Sequence, residues 1–227
     1  MSNLANQEVV YLDKQNENAK AQANNKKVYI VTKRLLDIIG ASFGIILLSL
    51  IFIVIGILIK IEDPKGKVFF SQKRVGLNGK EFKMYKFRSM VSNAEEKLAE
   101  LLKYNEVSGA MFKMKDDPRI TKVGKFIRKT SIDELPQLFN VLKGDMSLVG
   151  PRPPLKREVE LYSDYDKQRL MVTPGCTGLW QVSGRSNLSF NEMVILDLEY
   201  IQKRSLLYDI KLILKTLLVL LGSKDAY

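Results

Sequence analysis

From Ile38 to Ile59 the chain reads IIGASFGIILLSLIFIVIGILI, 22 residues without a charge. A segment of that length and purity is long enough for a hydrocarbon core of about 30 Å. It is not a secretory signal, because it begins deep in the chain, lacks a small-residue cleavage site and exceeds the length of an h-region. Its flanks constrain the topology further. Lys26, Lys27, Lys33 and Arg34 precede the run, and Lys60, Lys65 and Lys67 follow it. The positive-inside rule draws both ends to the cytoplasmic face. A simple span does not satisfy that pull; a helix that enters, bends and leaves on the same face does. Ser49 at mid-run, with Gly40, Gly44 and Gly56, supplies local means for a bend. Asp37, just inside the apolar boundary, is expected to pair with a cation at headgroup level. A buried core helix is the alternative.

A second leucine-rich stretch, Leu206 to Leu221, is interrupted by Asp209, Lys211, Lys215 and Thr216. It is too short and too charged to span, so an amphipathic helix lying in the membrane interface is expected, with packing against the soluble domain as the alternative. The first 27 residues are polar and rich in Asn and Gln, the composition of a mobile tail.

Composition narrows the chemistry. The 227 residues contain no histidine and one cysteine, Cys176. A Ser-His-Asp triad, a histidine base and a histidine metal site are thereby excluded, as are an intrachain disulfide and a thiolate cage. A metal must be a hard cation held by oxygens, of which Mg²⁺ with a phosphate substrate is the natural case. The net charge of +11 calls for an anionic partner. The basic residues are scattered rather than gathered in one run, which argues against nucleic acid.

Between the apolar stretches, KVFFSQKRV and EFKMYKFRSM alternate apolar with polar residues, and Asn78-Gly79 between them signals a hairpin. A polar helix is expected from Asn93 to about Tyr104, and a turn at DDPRIT leads into a helix around KVGKFIRK. Ser131 and Glu134 then match a capping box that starts a helix at Ile132. Asp133 falls in its first turn, where the helix dipole favours an ionised carboxylate: a poor general base, but an acceptable nucleophile or Mg²⁺ ligand. A plain helix cap explains the same residues.

The order of these segments, with SIDELPQLFNVLKGDMSLVGPRP and PGCTGLWQVSGRS, resembles the bacterial sugar transferases known as monotopic phosphoglycosyl transferases over about residues 30 to 222. The resemblance implies transfer of a sugar 1-phosphate from a UDP-sugar to undecaprenyl phosphate, with UMP released, as the initiating step of capsule or exopolysaccharide repeat-unit synthesis. It implies Asp133 as a nucleophile that forms a phosphosugar-aspartyl intermediate, Glu134 as a partner that holds metal or handles protons, and Mg²⁺ as cofactor. Lys86, Arg88, Arg128 and Arg152 match positions expected to face phosphates, Arg185 the nucleotide or sugar, and Asp197 a further acidic position. Solvated surface charge is the alternative for each. Family members often break the membrane helix with a Ser-Pro pair, and here Ser49 is followed by Leu50.

The expected fold is α+β and mostly helical, with a small hairpin, a re-entrant membrane helix and interfacial amphipathic helices. The expected division is a polar tail at 1–27, the membrane-inserted helix at 28–62, a catalytic domain on the cytoplasmic face at 63–204, and the interfacial helix at 205–227. Expected partners are a UDP-sugar, undecaprenyl phosphate and the inner face of the cytoplasmic membrane, with self-association left open and no nucleic acid expected; a basic nucleic-acid-binding protein is a further competing reading. A membrane-bound, non-catalytic scaffold of polysaccharide assembly is the competing function.

Overall fold

In the computed structural model, residues 27–101, 114, 117–184 and 188–222 are described. The tail expected at 1–27 lies outside them except for Lys27, and so does the end of the helix expected to reach Tyr104. The apolar run forms two helices, α1 (Lys27–Leu47) and α2 (Ser49–Glu62), bent by 59° at Leu48. No single described helix is long and apolar enough to cross a membrane. Most of the run faces away from protein: Ile46, Leu47 and Leu50 are each about two-thirds exposed or more, whereas Ala41, Ile55 and Ile59 are buried.

Residues 27–36 are the N-terminal part of α1, and Asp37 onward forms a separate compact unit. Within that unit, Ile55 and Ile59 of α2 pack with Phe87, Ile127, Ile132 and Leu135. Truncating a buried residue such as Ile127 to alanine costs roughly 2–5 kcal/mol. Polar contacts fix the same junction. Glu62, ending α2, accepts from Lys122 N–H (2.6 Å) and Val123 N–H (3.0 Å), the first free donors of α4 (Lys122–Lys129). Thr121 caps α4 through Gly124 N–H.

The expected hairpin is present as β1 (Phe69–Val75) and β2 (Glu81–Phe87). Asn78 and Gly79 both take positive φ, 54° and 79°, as a primed turn requires. Beside that turn the register shifts. Lys80 N–H donates to Leu77 while Gly76 N–H donates to Lys80, so two residues of one strand face one of the other. The pairing is therefore Arg74 with Phe82 and Phe70 with Lys86, which puts Arg74, Met84 and Lys86 on one face. Helix α3 (Ala94–Leu101) follows the hairpin.

Helix α5 (Gln137–Lys143) is pinned to β2 by Asn140, whose side chain accepts from Tyr85 N–H and donates to Lys83 O. A two-stranded parallel sheet, unanticipated from sequence, joins β3 (Ser147–Val149) to β4 (Gly175–Thr177). The crossover between them carries the short helices α6 (Lys156–Val159) and α7 (Asp164–Lys167). Helices α8 (Phe190–Lys203) and α9 (Leu206–Gly222) close the core through Tyr200 and Leu212 against Val149, Leu179 and Val182. Thus α9 packs on the domain by one face, while Leu207, Leu214, Leu217 and Leu218 stay exposed on the rest. The α+β, mostly helical class holds.

Asp37 is buried, and its Oδ1 accepts from Ser147 Oγ and Leu148 N–H, both at 2.9 Å, at the start of β3. This carboxylate organises the start of the sheet, and an acid buried among apolar neighbours is tolerated only with donors around it.

Candidate active site

The expected capping box at Ser131 does not form. Ser131 takes a left-handed conformation (φ 55°) with no side-chain cap, Ile132–Glu134 is a single 3-10 turn, and the regular helix begins only at Gln137 after Pro136. The competing interaction is tertiary. Lys86 Nζ donates to Glu134 Oε1 at 2.6 Å and stands 3.6 Å from Asp133 Oδ2. Ile132 and Leu135 bury themselves against Ile127 and Phe87, which turns the two acids between them toward the hairpin. Lys86 thus lies within ion-pair distance of both carboxylates.

The two acids are electrostatically unlike. Burial raises the Asp133 carboxyl above its ordinary range; Lys86 and Arg128 pull against that rise, and the Glu134 charge adds to it. At Glu134 burial pushes the same way, but Lys86, Arg152 and Arg74 outweigh it and hold the group below its ordinary value. The helix dipole expected to favour an ionised Asp133 is absent. Asp133, 7% exposed, sits in no regular helix, and desolvation makes it more basic than a free aspartate. A desolvated carboxylate beside a lysine is a better nucleophile than a solvated one.

The expected phosphate-facing cations separate. Lys86 is at the dyad. Arg128 donates from Nε to Ser89 Oγ at 2.9 Å and its charge reaches Asp133. Arg152 is exposed and lines a cleft with Glu134. Arg88 turns away. Its guanidinium binds Asp63 Oδ2 (2.6 Å) and the Asp63 carbonyl (2.8 Å) at the end of α2. Gly66 makes room for it, since a Cβ there would meet Arg88 NH1 at 1.6 Å. Strand β2 ends at Phe87, and Arg88 beyond it follows the chain to Asp63. Arg185 lies outside the described residues. Asp197 is fully buried in an ion pair with Arg169, which also donates to Tyr162 OH. Burial raises Asp197 to about 6 against the opposing pull of Arg169. These contacts place Asp197 in a separate interior cluster rather than at the dyad or on a helix surface.

One residue of the site had no sequence signal read for it. Arg74, buried on β1, shares the cleft with Glu134, Arg152 and Gln181. Burial and the nearby Arg152 charge lower it to about 10. Cys176 also lines the cleft, but burial pushes its thiol far up, so it is no thiolate nucleophile.

No three Asp, Glu, His or Cys side chains gather as a metal site among the described residues. Mg²⁺ keeps water and phosphate oxygens as most of its ligands and needs only one or two protein carboxylates, so a third acid beside Asp133 and Glu134 would not be required for that ion.

A family model described as bacterial sugar transferase matches residues 28–223. The chain is 54% identical over 200 residues to the galactosyl transferase CpsE of Streptococcus agalactiae serotype III, covering 87% of this chain and 44% of that protein. It is 45% identical over 231 residues to the undecaprenyl-phosphate galactose phosphotransferase of Salmonella typhimurium, covering 100% and 47%. With the exopolysaccharide production protein ExoY of Rhizobium meliloti the identity is 41% over 201 residues, covering 87% and 88%. The chain spans about half the length of the first two relatives and most of the third. With the match extending over nearly all of the described fold and over both acids, the chain belongs to the bacterial sugar transferase family.

Proposed function

We propose that this chain transfers a sugar 1-phosphate from a UDP-sugar to undecaprenyl phosphate, initiating capsule or exopolysaccharide repeat-unit synthesis. The observation that carries this is Lys86 bridging Asp133 and Glu134, with Asp133 buried and more basic than usual. Asp133 attacks the β-phosphorus of the donor; the anhydride bond to the α-phosphate breaks, and UMP leaves with the electron pair. A phosphate oxygen of the lipid then attacks the phosphosugar-aspartyl group, breaking the aspartyl O–P bond and restoring the carboxylate. Lys86 holds Asp133 ionised and in place, and Arg128 adds positive charge for the arriving anion. Asp133 and Glu134 would hold Mg²⁺, which supplies charge neutralisation to the phosphate oxygens. Relatives named for galactose make UDP-galactose the first donor to offer.

The test is covalent. With radiolabelled UDP-galactose, Mg²⁺ and no lipid, the protein releases UMP in a burst no larger than the enzyme concentration. Label stays on a peptide containing Asp133 until undecaprenyl phosphate is added. Direct single displacement, or a non-catalytic scaffold, shows neither.

We place the chain on the inner face of the cytoplasmic membrane with α1 and α2 as a re-entrant pair. The 59° bend, the exposed apolar side chains and the cations at both ends support this. Single cysteines at Lys27 and Lys65, in a Cys176→Ser background, should both resist an impermeant thiol reagent in intact cells. Labelling at the Lys27 position alone means a full span.

A further inference from the structure

Helix α2 ends in two acids, Glu62 and Asp63, and each grips a different part of the domain that carries the dyad. Glu62 accepts from Lys122 N–H and Val123 N–H at the start of α4. Asp63 holds Arg88. Its Oδ2 accepts from NH1 at 2.6 Å and its carbonyl from NH2 at 2.8 Å, and Oδ2 also accepts from Ser92 N–H at 2.9 Å. A planar guanidinium can make this two-pronged grip, and an ammonium cannot. The residue after Arg88 accepts twice. The Ser89 carbonyl takes Thr121 N–H at 3.1 Å, at the cap of α4, and Ser89 Oγ takes Arg128 Nε at 2.9 Å. Helix α4 sits hard against this residue, since a Cβ on Gly124 would meet Ser89 O at 2.0 Å. Arg128 in turn brings its charge to Asp133, and its carbonyl accepts from Ser131 N–H at 3.1 Å, where the turn bearing the dyad begins. A continuous series of bonds therefore runs from the end of α2 to the nucleophile, and Arg88 is its first link.

We infer that Arg88 is a positioning residue: its grip on Asp63 fixes Ser89, and Ser89 sets Arg128 at Asp133. Arg88 touches neither acid of the dyad, so it acts only through these neighbours. The role rests on the transfer proposed above, in which Arg128 adds positive charge for the arriving anion. A cation that stabilises developing charge works only if its place is fixed beforehand, and a misplacement of about 1 Å can cost roughly 100-fold in rate. The corner also gives the bent helix pair a second task. Whatever seats α2 also seats the cation beside Asp133.

The experiment uses the full chain in nanodiscs, with saturating UDP-galactose and Mg²⁺ and no undecaprenyl phosphate. UMP release is followed by rapid quench for wild type, Gly66→Ala and Arg88→Lys, below the melting temperature of each. Gly66→Ala alters no polar group, yet its Cβ would stand 1.6 Å from Arg88 NH1, so the guanidinium must leave Asp63. The burst amplitude counts folded, competent sites, and the burst rate constant reports their alignment. The amplitude should stay within twofold of wild type. The rate constant should fall roughly tenfold or more in Gly66→Ala, and less in Arg88→Lys, which keeps the charge. Amide hydrogen exchange over residues 121–134 should quicken in Gly66→Ala while that of α8 stays unchanged. A rate constant within twofold of wild type despite quicker exchange overturns the inference, and so does unchanged exchange over 121–134. A loss of amplitude alone overturns it too, because Arg88 then serves folding and not alignment. If Gly66→Ala fails to fold, Arg88→Lys decides by the same criteria. A wild-type chain that releases no UMP sinks the transfer proposal itself and the positioning role with it, whatever the variants do.

Discussion

Two of the clusters that pair a buried aspartate with a cation among the described residues, at Asp197 and at Asp133, differ in kind. At Asp197 the pair is sealed: Arg169 meets it from one side, Tyr162 and Phe190 flank the guanidinium, and the cluster is interior. At Asp133 the pairing is looser. Lys86 stands 3.6 Å away and is shared with Glu134, which itself borders an open cleft with two more cations. The difference lies in access: Glu134 borders a cleft, and Asp197 does not. The Arg169–Asp197 pair is walled in, although Arg169 Nε and Asp197 Oδ1 find no hydrogen-bond partner among the described residues. A cluster with surplus positive charge at a cleft is one that an arriving anion can complete, as the proposed transfer requires.

The sharpest way to break this comparison is to neutralise each aspartate. Asp133→Asn should bring transfer to background while the melting temperature stays equal or rises. Burial raises the Asp133 pKa, so its charged form costs the fold free energy at neutral pH that asparagine does not. Asp197→Ala should do the reverse, because Arg169 is left buried and unpaired. The loss should be roughly 3–5 kcal/mol, or about 6–20 °C in melting temperature for a domain of this size. An Asp133→Asn protein that melts as early as Asp197→Ala would make the dyad structural too.

A smaller effect tests whether the cleft reads geometry or only charge. Arg152→Lys keeps the charge but loses the planar fork, and should cost about 1.5–3 kcal/mol of transition-state stabilisation, roughly 10- to 150-fold in kcat/KM. Full activity would make Arg152 an ordinary surface cation. Its melting temperature should not move, since Arg152 is exposed.

The smallest effect is a displacement along the pH axis. The nucleophile works ionised, so activity falls as pH drops through the raised pKa of Asp133, and the acid limb lies above that of an ordinary aspartate. Lys86→Met removes a charge that opposes the rise and should move the limb to higher pH. Glu134→Gln removes a charge that adds to it and should move the limb lower. Limbs that coincide in kcat/KM profiles of all three proteins would mean that another group titrates.

The hairpin was legible because its signals are local: alternation on each strand and Asn78-Gly79 able to take positive φ. The same holds for α4, with Thr121 as its cap. The dyad was legible only through resemblance, for its local pattern suggested a capped helix. That pattern misled because Glu134 gains more from Lys86, 48 residues away, than from the backbone N–H a capping box offers. Arg88 shows a related limit: its partner Asp63 lies 25 residues away, outside any local pattern. Arg74 was hidden by the residue inserted beside the turn. A plain two-residue hairpin closing at Leu77 and Lys80 would pair Arg74 with Lys83 and put it opposite Lys86. The observed register puts the two on the same face. A signal for Arg74 existed, but only in combination with that register.

The segment 147–154 is gripped along its length, and nearly every grip falls on main chain. Asp37 takes Leu148 N–H, Tyr200 OH reaches Val149 O, Gly150 N–H meets Thr177 O, and Gly175 N–H meets Pro151 O. Arg74 and Val75 then hold Pro153 O and Pro154 O. The Arg152 side chain takes part in none of these bonds. The mount and the tool are thus separate: an engineer can exchange the side chain at position 152 without touching the bonds that aim it.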